Sequence, residues 1–165
     1  MSPTPEMFRR AMGRFATGVT VITIPEDEGG VHGMTANAVT SVSLDPLLIL
    51  VCIDHRAHTL ALLHQRKQFG VNILTEEQEA LSRYYARPDR DHQGALRLGV
   101  RYRYTQRGTP MLEDCLAWLD CRVVATHEAG DHTIFIGQVE EIFIGEGRPL
   151  LFYGGQYRRL DVEAQ

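Results

Sequence analysis

Apolar positions along this 165-residue chain fall into short blocks of two kinds, one with helical spacing and the others strand-like. Met7, Phe8, Ala11, Met12 and Phe15 recur at helical intervals, behind Thr4 as a cap, Pro5 in the first turn and Glu6 at the positive dipole end. This predicts a helix that stops near Gly18. From Val19 the pattern becomes β: Val19–Ile24, a turn from Pro25 to Gly30, then Val31–Ser43 and Leu47–Ile53. The last run is unbroken, which predicts a central strand buried on both faces. Thr59–Arg66 and Thr75–Ala86 read as short helices, the second opened by the capping-box pattern Thr75-Glu-Glu-Gln78, with Phe69–Leu74 as a strand between them. Arg87–Gly99 is polar and punctuated by Pro88, Asp89, Asp91 and Gly94, which predicts a mobile surface segment. Leu116–Thr126, His132–Ile144 and Leu150–Tyr153 complete the strands.

At least six strands and three short helices, without strand–helix alternation, predict a mainly β fold with flanking helices, an antiparallel barrel in a single domain over residues 1–165. No GxGxxG follows a strand, which argues against a Rossmann domain.

Charge narrows the class. A net charge of -4 and a pI near 6.0 argue against binding a nucleic-acid backbone. The longest basic cluster, Arg101 to Arg107, is interrupted by Tyr102, Tyr104, Thr105 and Gln106 and reads as a solvated strand. Met1 to Arg10 carry Pro3, Pro5 and Glu6 and no apolar run, unlike a secretory signal, and no stretch approaches the roughly 18 apolar residues of a membrane span. Cys52, Cys115 and Cys121 form an odd count without CxxC spacing, among apolar neighbours, as expected for buried, reduced thiols. A cytoplasmic protein with neither membrane nor nucleic-acid partner is expected.

Three segments carry candidate chemistry. In Gly33-Met-Thr-Ala-Asn-Ala-Val-Thr-Ser-Val-Ser43 small and hydroxyl residues stand where a buried strand prefers Leu or Ile. Such a surface accepts a flat polar ring; it equally suits an edge strand solvated by Thr and Ser. Asp54-His-Arg-Ala-His-Thr59 lies between a strand and a helix, a seat for phosphate or a plain N-cap by Thr59. His55 and His58 stand three apart without a Cys or His cluster of metal spacing, which argues against a metal site. Gly130-Asp-His-Thr133 delivers an Asp and a His to a strand end, as a site or as an ordinary turn.

Together these segments resemble the flavin reductase family of FMN-binding split barrels, the reductase components of two-component flavin-dependent monooxygenases. The resemblance runs from Phe8-Arg-Arg-Ala-Met12 to Tyr153-Gly-Gly-Gln-Tyr157. Its most specific pieces are Gly33–Asn37 with Ser41–Pro46, Phe69–Leu74, and Gly130–Thr133 with Ile136-Gly-Gln-Val139. It implies a homodimer of six-stranded antiparallel split barrels, FMN or FAD near the dimer contact, and NADH or NADPH stacking on the flavin as hydride donor. No 2′-phosphate cluster is visible, which leans to NADH. It further implies that Met34, Thr35, Ala36, Asn37, Ala38, Ser41, Val42 and Ser43 line the ring and ribityl chain, with Cys52 counted among the flavin positions. Ala57, His58 and Thr59 would approach the phosphate, although Ala57 stands where such reductases often carry Ser. Lys67, Phe69 and Gly70 would lie near the flavin tail, and Tyr84 or Tyr85 would cover the flavin. His132 is the implied catalytic residue at the nicotinamide, with Tyr157 near the same pocket. Reduced flavin would pass to a partner monooxygenase.

Overall fold

The computed structural model describes residues 2–161, a mainly β protein with short helices. Helix α1 (Pro5–Met12) starts as its signals predict, with the Thr4 hydroxyl accepting from the Met7 amide at 3.2 Å. It ends well before Gly18, because Thr17–Gly18 (β1) is taken up in pairing with a C-terminal strand. There follow β2 (Thr20–Pro25), β3 (Val31–Ala36), β4 (Val39–Leu44), β5 (Leu47–Asp54), α2 (His58–Arg66) and β6 (Gln68–Ile73). The Thr75 amide donates to Gln78 Oε1 at 2.9 Å as the capping box requires, but this end opens a 3₁₀ turn before α3 (Glu79–Tyr85) begins.

The stretch expected to be a mobile segment instead folds into α4 (His92–Arg97). The Asp91 side chain caps it on the Gly94 amide at 2.6 Å, and Ala95 is fully buried. Short β7 (Tyr102–Tyr104) pairs with β8 (Pro110–Leu112), leaving the basic cluster largely solvated. Long β9 (Ala117–Ala129) and β10 (His132–Ile144) form a hairpin through Gly130-Asp131, with Gly130 at φ +65°, the conformation such a two-residue turn needs. β11 (Leu150–Tyr153) and β12 (Gln156–Arg159) close a small sheet on β1.

The main sheet is antiparallel throughout, in the order β3-β2-β6-β9-β10-β5-β4. It therefore has seven strands rather than the implied six, and no hydrogen-bond ladder closes it among the described residues. Its two edge strands are nevertheless consecutive in sequence. Laid flat, six inter-strand spacings would part them by about 29 Å, whereas the link through Asn37 and Ala38 spans at most about 11 Å. The sheet must curl until its edges meet at this corner. The Cys52 amide pins the corner by donating to the Ala38 carbonyl at 3.1 Å.

Curling puts one core inside the sheet, built on Ile22, Ile24, Val51, Ile53, Phe69 and Phe135, with α2 laying Leu62 and Leu63 onto it. A second core outside it joins Val19, Val21 and Leu74 to Tyr84 and Tyr85 of α3 and to Ala95. The strands of the main sheet buried on both faces are thus β2 and β6, not β5. In β5 only Ile49, Val51 and Ile53 are buried, while Leu48, Leu50 and Cys52 are half exposed on the outer face. Cys115 and Cys121 are buried free thiols as expected, their pKa values pushed up by burial to about 11 and about 12.

Among the described residues, one carboxylate is wholly inside. Asp120 on β9 accepts from Thr105 Oγ1 at 2.8 Å, Thr109 Oγ1 at 2.6 Å and Arg107 Nη1 at 3.1 Å, tying the loop before β8 to the sheet. Asp120→Ala would strand two buried hydroxyls and a partly buried cation, so a stability loss of about 3–5 kcal/mol is expected in urea denaturation. An unshifted midpoint would show that this network does not hold the loop.

Candidate active site

The corner where β3 hands over to β4 borders a cleft of about 280 Å³. Val19, Met34, Ala36 and Phe152 give it apolar walls; Thr35, Asn37, Tyr85, Arg90 and Tyr157 give it polar groups. As sheet edges, β3 and β4 each leave one side of their backbone without a ladder partner, so donors and acceptors concentrate where the two meet. Asn37 and Ala38, between the strands, are exposed.

Arg90 is the cation of this cleft. Its Nε donates to the Gly33 carbonyl at 2.7 Å and its Nη1 to the Arg87 carbonyl at 2.8 Å. Among the described residues it has no carboxylate partner, and burial lowers its pKa. A half-buried guanidinium held by carbonyls alone retains its charge for an anion. A larger cleft of about 720 Å³ is lined by Glu76, Glu77, Glu113, Asp114 and Glu146, with Arg103 and Arg148. Its acidic excess opposes a phosphorylated ligand, so size does not decide between the two.

Of the positions singled out in the sequence, Met34, Thr35, Ala36, Asn37 and Tyr157 share the smaller cleft. Thr35 is committed inward, donating to the Ser82 carbonyl at 2.6 Å, and Tyr157 bonds the Ser82 hydroxyl at 2.6 Å. Ser41, Val42 and Ser43 lie along the exposed edge strand, with a bulge at Val42. Ala57 is the cap residue of α2 and makes no side-chain bond. His58 is exposed. Thr59 does not cap: it is fully buried, donating to Met34 Sδ at 3.2 Å and so accepting from His32 Nε2 at 2.8 Å. It thereby links α2 to the cleft wall.

Several positions lie elsewhere. Lys67 ends α2 in the left-handed region and borders a separate small cleft with His64 and Phe135. Phe69 and Gly70 are buried in β6, Phe69 within the inner core. Tyr84 is buried and anchors the following loop, donating to the Asp91 carbonyl at 2.6 Å and accepting from the Asp91 amide at 2.9 Å. Its neighbour Tyr85 reaches the cleft, with its hydroxyl bonded to Tyr102 and its pKa raised chiefly by burial.

His132 lies outside the cleft but at the same end of the sheet. Its Nδ1 bonds Asp131 Oδ1 at 2.7 Å, which holds the Asp131 carboxyl below its ordinary range. Across the ladder it faces Asp54, whose pKa is lowered chiefly by hydrogen bonds from Arg56. Cys52, which bonds Ala38, pairs with Ile134, so His132 is two residues, about 7 Å, further along the strand from the corner.

This geometry has relatives. The flavin reductase-like domain matches residues 12–161. The chain belongs to the flavin reductase-like family, a family of oxidoreductases. An NADH-dependent flavin reductase from a Rhodococcus species is 46% identical over 96% of this chain and 88% of its own length. The reductase component of a 4-nitrophenol 4-monooxygenase/4-nitrocatechol 2-monooxygenase from Rhodococcus opacus is 39% identical over 91% of this chain and 78% of its own. The Streptomyces globisporus NADH:FAD oxidoreductase SgcE6, solved with NAD and FAD fragments, superposes with a TM-score of 0.89 at 34% identity, over 100% of this chain and 99% of that one.

The sequence does not point to Arg90, and it leaves Tyr84 and Tyr85 as alternatives, of which Tyr85 lines the cleft. Arg90 sat in a segment read as mobile, and only the carbonyls of Gly33 and Arg87 reveal it as a cleft residue. Gly33 itself matters for closeness: a Cβ there would lie 2.3 Å from Tyr85 Cε1. Gly33→Ala is expected to cost about 1–3 kcal/mol by overpacking β3 against α3, read as a lower urea midpoint. A neutral result would mean that Tyr85 moves freely, contrary to the packing described.

Proposed function

We propose that this chain is an NADH-dependent flavin reductase that binds FMN or FAD at the β3–β4 corner and delivers the reduced flavin to a separate flavin-dependent monooxygenase. In this reading the curled sheet is the split barrel of the class. The observation that carries it is Arg90, a cation without a carboxylate partner beside a cleft with apolar walls and unpaired sheet edges. That donor set fits a flavin: Met34, Ala36, Val19 and Phe152 suit the ring's faces, Asn37 and the edge amides its polar rim, and Arg90 negative charge. The cleft has room for a ring system rather than a whole nucleotide.

A flavin held there would supply the acceptance of a hydride, with its two electrons, from reduced nicotinamide. The protein's part is orientation. Its apolar walls exclude water from one side, and Arg90 with the edge amides offers donors where negative charge gathers. His132, fixed by Asp131, stands at the sheet end to orient the nicotinamide, and no proton transfer is required of it.

A homodimer belongs to the same proposal. Val42, Leu44 and Leu47 are exposed beside half-exposed Leu48, Leu50 and Cys52, and Leu44 is 88% exposed. A second copy covering this face would bring Ser41, Val42 and Ser43 to an interface. Light scattering should give twice the chain mass; a monomer at micromolar concentration would refute this part.

With FMN or FAD under air, the purified protein is expected to oxidise NADH, and Arg90→Ala to raise the flavin KM about tenfold, the equivalent of 1.4 kcal/mol. His132→Ala should raise the KM for NADH more than that for flavin. Absence of flavin-dependent oxidation would overturn the reading, and unchanged kinetics in the His132 variant would remove that residue from it.

A further inference from the structure

Next to the cleft, three side chains from separate segments converge: Glu26 in the β2–β3 connection, His32 in β3 and His58 at the start of α2. One potential ligand atom from each lies within 4.8 Å of the other two. His32 Nδ1 and Glu26 Oε1 are 3.6 Å apart, too far for a hydrogen bond. Two ligands bonded to a tetrahedral zinc ion at 2.0–2.1 Å stand about 3.4 Å apart, so this separation matches a metal-spanning pair.

The surroundings prepare His32 to ligate through Nδ1. Thr59 Oγ1 donates its proton to Met34 Sδ at 3.2 Å, which leaves its lone pair to accept from His32 Nε2–H at 2.8 Å. That bond places the imidazole proton on Nε2 and leaves the Nδ1 lone pair facing the Glu26 carboxylate. Two acceptors then confront each other beside a third ligand, and a cation between them resolves the conflict. Such an outer hydrogen bond fixing the tautomer is how metal-binding histidines are commonly held. His32 is 7% exposed and cannot turn away, whereas Glu26 and His58 are accessible and can close on an ion. The ring centroids of His32 and His58 are already 5.4 Å apart.

We propose that Glu26, His32 and His58 form a binding site for a divalent first-row transition metal of the zinc type, with the remaining coordination position open to water. Two imidazoles and one carboxylate suit zinc, cobalt or nickel and disfavour magnesium and calcium, which take all-oxygen shells. The Arg90 charge acts on His32 and disfavours a further positive charge there, so micromolar affinity is expected rather than the tighter binding of a structural zinc centre. Through Thr59 and Met34 an ion here would stiffen the wall of the neighbouring cleft without entering it.

The test uses chelator-treated full-length protein titrated with Zn²⁺ by calorimetry and with Co²⁺ by visible absorption. Expected are one Zn²⁺ per chain at micromolar Kd, the intense d–d bands of four- or five-coordinate Co²⁺, and a melting temperature raised by Zn²⁺ but not Mg²⁺. His58→Ala and Glu26→Gln, both at accessible side chains, should each weaken binding at least tenfold without lowering the metal-free melting temperature. His127→Ala, at an exposed histidine away from the cluster, should bind as the parent does. Absence of binding below millimolar Zn²⁺, or binding that either cluster substitution leaves intact, would overturn the proposal.

Discussion

The two-residue link between β3 and β4 is the constraint on which the rest of the molecule depends. Seven antiparallel strands laid side by side would carry their edges far apart, yet Asn37 and Ala38 join those edges directly. Every other feature is a consequence of the resulting curl. One face of the sheet turns inward around Ile22, Val51, Phe69 and Phe135, and the other must be covered by α3, α4 and the small C-terminal sheet. The unpaired backbone of both edges is brought to one corner, beside an apolar cleft. Polar ligand-binding capacity and hydrophobic collapse therefore share a single topological origin.

Charge then disfavours one of the larger concavities as the seat of a phosphorylated ligand. The cleft walled by Glu76, Glu113 and Glu146 is larger, but its field has the wrong sign. The corner is smaller and holds Arg90 in a cage of carbonyls that neutralises none of its charge. Members of the flavin reductase-like family act on phosphate-bearing cofactors, and this electrostatic asymmetry is what the proposed function requires.

Much of this was legible in the sequence, for identifiable reasons. The Thr4 cap, the Gly130-Asp131 hairpin and the strand runs are local signals, and local hydrogen bonds realise them. The end of α1, the fold of residues 87–99 and the burial of β5 were misread because non-local partners set them. β1 is claimed by β11; Ala95 and Tyr84 pull the polar segment into the outer core; and β2, whose threonines and Pro25 look less buried than Leu47–Ile53, has both faces covered. In the cleft, Met34 to Asn37 were legible as a small, polar stretch, and Tyr157 only through the family resemblance. The cap open to Thr59 in the sequence is not formed, because its partners His32 and Met34, remote in sequence, draw it inside. Glu26, His32 and His58 carry no recognisable spacing, since three different elements supply them.

Amide chemical shifts of ¹⁵N-labelled protein during titration with oxidised FMN report most directly on whether the corner created by the sheet's curl is the flavin site. The largest changes are expected at Thr35 to Val39 and at Arg90, with the turn at Asp131 and His132 responding only when nicotinamide is added. Shifts confined to the cleft of Glu76, Glu113 and Glu146, with Thr35 to Val39 undisturbed, would contradict it.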